Sequence, residues 1–361
     1  MTVRALKAVW PLVALLVPLA VLVLLLGLTA ADVQSSAIGA LINMVIVVGL
    51  YIFVGNSGVL SFGHVSFVSI GAYATALLTM TTVGKGILLP HLPGILANAE
   101  LGTVPALAVS AAGVGVLAYL VAVPLMRLNG IAASIATLSL LVIVQVVLQN
   151  WEDVTGGSGT LTGVPVDTTL GGVLAWVCLA CAVAYAYQRS RAGRRLRASR
   201  EDEPAARSVG VRVERERRLA FTLSAVVVAV GGGLYGHFLG SLSPGAMYLQ
   251  LTFVTLAMLV VGGMGSLAGA VVGTVVVSVI TEVLGRFEEG GLAGLHVSLR
   301  PGIREMVVAV LTMVILVWRS TGLTRSREIP WPGRRGRAAD ATAGAPVAEP
   351  DAPPVEPVGG A

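Results

Sequence analysis

Ten apolar runs, separated by short polar joints, constrain what this chain can fold into: residues 8–30, 37–54, 59–80, 103–125, 131–148, 171–187, 219–239, 249–261, 267–284 and 303–318. Most approach the ~20 residues that an apolar helix needs to cross a bilayer. Only 12% of the residues are charged and 55% are hydrophobic, whereas soluble domains carry about 25% charge. In hydrocarbon every backbone N–H and C=O must be satisfied within the protein, so continuous runs imply helices. A β-barrel would show short alternating segments instead. The expectation is an all-α polytopic membrane protein with about ten transmembrane helices. The run 249–261 is the weakest, because it is short and ends at Gly262-Gly263-Met264-Gly265-Ser266.

Charge gives the orientation. Residues 189–218 hold eleven arginines and no lysine. A basic segment between apolar spans is cytoplasmic by the positive-inside rule. Ten spans with both termini cytoplasmic put all but four of the 24 Lys and Arg inside. The net charge of +5 is thus a matter of topology and not of nucleic-acid binding. The first run, after Arg4 and Lys7, exceeds the roughly 7–15 residues of a signal-peptide core. It reads as an uncleaved span, although Thr29-Ala30-Ala31 is a passable cleavage site. The tail 319–361 is rich in Ala, Pro, Glu and Gly and reads as disordered and cytoplasmic.

Two Gly-rich joints punctuate the two halves. One is Gly55-Asn56-Ser57-Gly58-Val59-Leu60-Ser61-Phe62-Gly63-His64, the other Gly262-Gly263-Met264-Gly265-Ser266-Leu267-Ala268-Gly269. Paired Gly-broken segments point to an internal repeat and a substrate site; tight helix packing would give the same residues. Polar groups at membrane depth are costly and face the bundle interior. Asn43, Asn56, Ser57, Ser61, Gly63, His64, Tyr73, Gly263, Gly265 and Ser266 are the candidate substrate path. His237, Gln145 and Glu282 are further intramembrane polar residues, and Cys178 and Cys181 read as ordinary helix packing.

Within the arginine-rich loop, Glu201-Asp202-Glu203-Pro204-Ala205-Ala206 precedes Arg207-Ser208-Val209-Gly210. Acids suit a helix N-terminus, Pro is tolerated in a first turn, and Gly ends a helix. A short helix projecting from the membrane can take force from a soluble partner. A solvated loop that only enforces topology is the plainer alternative. There is no Walker A motif, metal-ligand set or nucleophile elbow in the sequence. The chain does not read as an enzyme, and active transport would draw its energy from another subunit.

At these residues the chain resembles the branched-chain amino-acid permeases of bacterial ABC importers, the LivM type. Glu203, Ala205-Ala206 and Gly210 resemble the coupling loop. Leu60-Ser61-Phe62-Gly63-His64 with Gly71-Ala72-Tyr73, Thr155-Gly156-Gly157 with Leu161-Thr162-Gly163-Val164-Pro165, and residues 262–269 agree with the family in order. Asn129-Gly130-Ile131-Ala132-Ala133 departs from it, with Ala-Ala where an aromatic is expected. The resemblance implies a permease domain over 37–318, preceded by a first span and outer turn over 1–36. It implies coupling to ATPases through Glu201, Asp202, Glu203, Ala205, Ala206 and Gly210. The implied partners are a second homologous permease, two ABC ATP-binding subunits that hold ATP and Mg, an extracytoplasmic amino-acid-binding protein, and membrane lipid. The chain itself would bind no cofactor or metal. The implied place is the bacterial cytoplasmic membrane, and the substrate a branched-chain or other hydrophobic amino acid. Urea or a short amide is the alternative within the family; an ATP-independent transporter or channel is the alternative outside it.

Overall fold

The computed structural model describes residues 3–288, 302–318 and 322–324. Fifteen α-helices occur among them, in chain order. The first five are α1 (Val3–Leu26), α2 (Ala31–Ser57), α3 (His64–Thr79), α4 (Thr82–Leu88) and α5 (Gly94–Ala97). Then come α6 (Thr103–Leu125), α7 (Gly130–Asn150), α8 (Glu152–Thr155), α9 (Leu170–Arg189), α10 (Arg191–Glu201) and α11 (Glu203–Ser208). The last are α12 (Val213–Leu239), α13 (Leu249–Gly262), α14 (Leu267–Glu288) and α15 (Ile303–Trp318). Each of the ten apolar runs therefore contains a helix.

Seven helices are long and apolar enough to cross a membrane, or eight if α3 and α4, bent by 118°, form one broken span. The expected ten is thus met in helices but not in full-length spans: α3 and α15 have 16 residues each, and of α1 only the shorter apolar stretch Trp10–Leu26 counts. The short run 249–261 gains length from a 3-10 turn, Pro244–Met247, and Pro244–Gly262 then reaches 19 residues. The fold is not purely helical. Strands β1 (Leu161–Thr162) and β2 (Ser241–Leu242) pair antiparallel, Leu161 opposite Leu242, and tie the loop after α8 to the end of α12. Of the expected disordered tail, all but residues 322–324 lies outside the described residues.

α2 is central because it is apolar all round. From residue 41 to 57 every position except Asn43 is buried. It packs against α9, α12 and α14, and α12 in turn packs on α3 and α6. By contrast α7 lies at the periphery and exposes Ile131, Ile135, Val142 and Ile143. Lipid tails are as apolar as leucine, so helix association in a bilayer depends on close packing more than on burial. Glycine supplies the approach. A Cβ at Gly232 of α12 would stand 2.0 Å from the Val68 carbonyl oxygen of α3. In α13 and α14, a Cβ at Gly262 would stand 1.9 Å from the Gly269 oxygen, and one at Gly273 2.0 Å from the Met258 oxygen.

These crossings align the bundle so that one end carries α10, α11 and both Gly-rich joints. Gly55 lies against the Met264 carbonyl there. The opposite end carries α4, α5 and the two strands. Leu323 N–H donates to the Val261 oxygen, which returns the chain after α15 to the arginine-rich end.

Candidate functional site

The arginine-rich loop folds into two helices where the sequence suggested one. α10 begins at Ser190, whose hydroxyl accepts from Gly193 N–H at 3.1 Å. It buries Leu196, turns Arg197 and Arg200 to α2 and sends Arg195 to Glu216 of α12. Arg197 Nε donates to Asn56 Oδ1 at 2.7 Å, and its Nη2 donates to Tyr51 Oη and Gln188 Oε1, both at 2.9 Å. Arg200 Nη1 donates to the Gly55 carbonyl at 2.8 Å. Asn56, Tyr51 and Gln188 are buried, and charge-assisted bonds to buried groups are the strong kind. α10 is thus fastened to the end of α2.

α11 carries the motif. Asp202 caps it, its Oδ1 accepting from Ala205 N–H at 2.9 Å. Glu203 bridges two arginines: Oε1 accepts from Arg207 at 2.9 Å and Oε2 from Arg217 at 2.9 Å. The Arg217 side chain is only 7% exposed and donates also to Asn129 Oδ1. Arg207 reaches Glu214 as well, and its hydrogen bonds to Glu203, then Glu214, push its pKa up. Ala206 packs inward, while Glu201, Asp202, Ala205 and Gly210 are exposed. Gly210 has φ +84°, a left-handed turn that glycine adopts without a Cβ clash. Val209 is 79% exposed, an apolar side chain at the tip. The helix is thereby held at its base by the Glu203–Arg217 pair and presents its outer face.

The candidate substrate-path residues divide. Asn56 and Ser57 end α2, and Gly263 follows α13. Ser266 caps α14, accepting from Gly269 N–H at 3.0 Å. Gly265 lines a cleft of about 450 Å³ with Arg197, Arg200 and Glu201. Ser61 Oγ meets His64 Nδ1 at 2.7 Å. The His64 ring stacks among Phe53, Phe67 and Phe221, with centroids 4.9–6.4 Å away, which is a packed environment. Gly63 lies against the Thr137 carbonyl, and Tyr73 is buried midway along α3. Asn43 stands apart, in a pocket toward the opposite end. Asn56 anchors α10 through Arg197.

Arg197, Arg200, Arg217 and Asn129 were not singled out from sequence. Arg197 and Arg200 lie one helical turn apart, which is the one local signal of a shared face. Among the described residues no group of three or more His, Cys, Asp and Glu could hold a metal ion.

The profile of the family described as "Branched-chain amino acid transport system / permease component" matches residues 32–318. The chain belongs to this permease family. The permease is 27% identical over 318 residues to the high-affinity branched-chain amino acid transport system permease protein LivM of Escherichia coli K12, covering 78% of this chain and 68% of that one. It is 24% identical over 306 residues to the protein LivH of Salmonella typhimurium, covering 79% and 91%. Over 175 residues it is 33% identical to the probable ABC transporter permease protein YphD of E. coli, covering 46% and 49%. No solved structure matches it. Family and apolar helices together make the permease a multi-pass protein of the cytoplasmic membrane.

Proposed function

We propose that the permease is the membrane-spanning subunit of an ABC importer that moves branched-chain or other hydrophobic amino acids into the cell. A second, similar permease completes the pore, as the similarity to both LivM and LivH suggests. Separate ATP-binding subunits supply ATP hydrolysis, and an extracytoplasmic binding protein delivers the substrate. The observation that carries the reading is α11: a capped, exposed helix whose base is bound to α12 by Glu203–Arg217. Closure of an ATPase dimer against α11 moves α12 through that pair and α2 through Arg197 and Arg200. Packed interfaces respond to such a push by switching between discrete arrangements. The arginine-rich end faces the cytoplasm, with both termini on that side.

Gly210→Asp tests the docking element. Nothing lies within 4 Å of a Cβ at this position, so the side chain meets no neighbour, and the strain of the left-handed φ of +84° is about 1–2 kcal/mol, which Asp tolerates better than most residues. The expected result, in membrane vesicles holding all subunits, is normal abundance, continued ATP hydrolysis and lost leucine uptake. Normal uptake by the variant would refute the docking assignment.

A further inference from the structure

A pocket of about 340 Å³ opens between α2, α12, α13 and α14, away from the arginine-rich end. This is at the lower end of the roughly 300–1,000 Å³ of small-molecule sites. Its lining includes Asn43, Phe238, Met258, Ser278, Glu282 and Arg286. Asn43 Oδ1 and Ser278 Oγ, on two of the lining residues, are buried and have no hydrogen-bond partner among the described residues. A buried polar atom is costly until a partner hydrogen-bonds to it. Glu282 and Arg286 pair with each other at 2.8 Å, one turn apart on α14, with side chains 39% and 38% exposed. An ion pair this exposed contributes little to stability, so its two charges are free to be exchanged for others. Among the described residues no other charged side chain lines the pocket.

From this we infer that the pocket binds an α-amino acid as its zwitterion, an inference that takes its substrate class from the import reading above. The carboxylate pairs with Arg286, whose planar fork suits it. The ammonium pairs with Glu282 and donates to Asn43 Oδ1. Phe238 and Met258 receive the aliphatic side chain. One acid and one base sum to zero, so a ligand with net charge leaves one charge unpaired in a low-dielectric setting, and specificity follows from that penalty. The sequence had placed Asn43 on the candidate substrate path and Glu282 among the further intramembrane polar residues.

The test uses the complete transporter in cells, with Cys178 and Cys181 replaced by Ser and Ser278→Cys introduced. A small membrane-impermeant thiol reagent labels the new cysteine, with leucine, lysine or glutamate present. Slower labelling with leucine, and none of that protection with lysine or glutamate, is the expected result. Glu282→Gln at unchanged membrane abundance is expected to raise the leucine KM about tenfold, the effect of one lost charge-assisted hydrogen bond. If leucine is taken up while labelling runs at the same rate with and without it, the pocket assignment falls and the import reading stands. If the parent transporter takes up no leucine, the import reading falls and this inference with it.

Discussion

Replacing Glu203 by Gln removes the charge that joins α11 to α12 and keeps the side chain's shape. Exposed ion pairs are worth about 0–1 kcal/mol, and breaking a buried one costs about 3–5 kcal/mol. The Glu203–Arg217 pair is intermediate, at 22% and 7% exposure and 2.9 Å. About 2 kcal/mol is a fair value for the loss, a factor of about 30 in the equilibrium that holds α11 on its base. The helix would still form, because the Asp202 cap is untouched. The assay is leucine imported per ATP hydrolysed, in proteoliposomes containing the permease, its ATPases and its binding protein. That ratio is expected to fall by roughly an order of magnitude while ATP hydrolysis continues. Arg207→Gln is the internal control, since Arg207 is 44% exposed and its loss should change the ratio by no more than about twofold. An unchanged ratio in Glu203→Gln, or an equal fall in both variants, would refute the claim that force passes through Arg217.

Two further outcomes follow from packing. Gly262→Ala places a methyl 1.9 Å from the Gly269 oxygen, a backbone atom that has no room to yield, so membrane abundance should drop sharply on an immunoblot, as for other severe overpacking. Arg197→Met strips Asn56, Tyr51 and Gln188 of a shared donor; trypsin should cut residues 189–218 several-fold faster in everted vesicles, with the bundle intact, because that loop loses its anchor.

Sequence made the helices legible because a bilayer imposes one strong rule, a long apolar run per helix. Their ends were less legible. α2 runs on to Ser57 because Asn56 is held by Arg197, a partner 141 positions away, and no local signal reports such a contact. α3 starts at His64 and not at residue 59, since Gly58 takes φ +73° and breaks the run. The helix α11 was readable from its own residues: acids, Pro, small residues, then Gly. The helix α10 was not, because its arginines resemble a solvated loop until their buried partners are known. The pairing of Leu161 with Leu242 was invisible for the same reason of distance in the chain. The two Gly-rich joints looked alike in sequence, and the structure does bring them together at Gly55 and Met264.

Glycine-mediated contact gathers the bundle into two closely packed sets of helices. α2, α3 and α12 are locked to one another where Gly49 meets Val228, Gly71 meets Ala229 and Gly232 meets Val68, and α13 is locked to α14 where Gly262 and Gly273 meet their neighbours. Within each set the helices approach so closely at these points that no Cβ fits between them. The seam between the two sets holds the cleft of Arg197, Arg200 and Gly265 at one end and the pocket of Asn43, Ser278 and Glu282 toward the other. A rocking of one set on the other about the Gly55–Met264 touch-point would therefore widen one hollow as it narrowed the second, like a seesaw with a basin at each end.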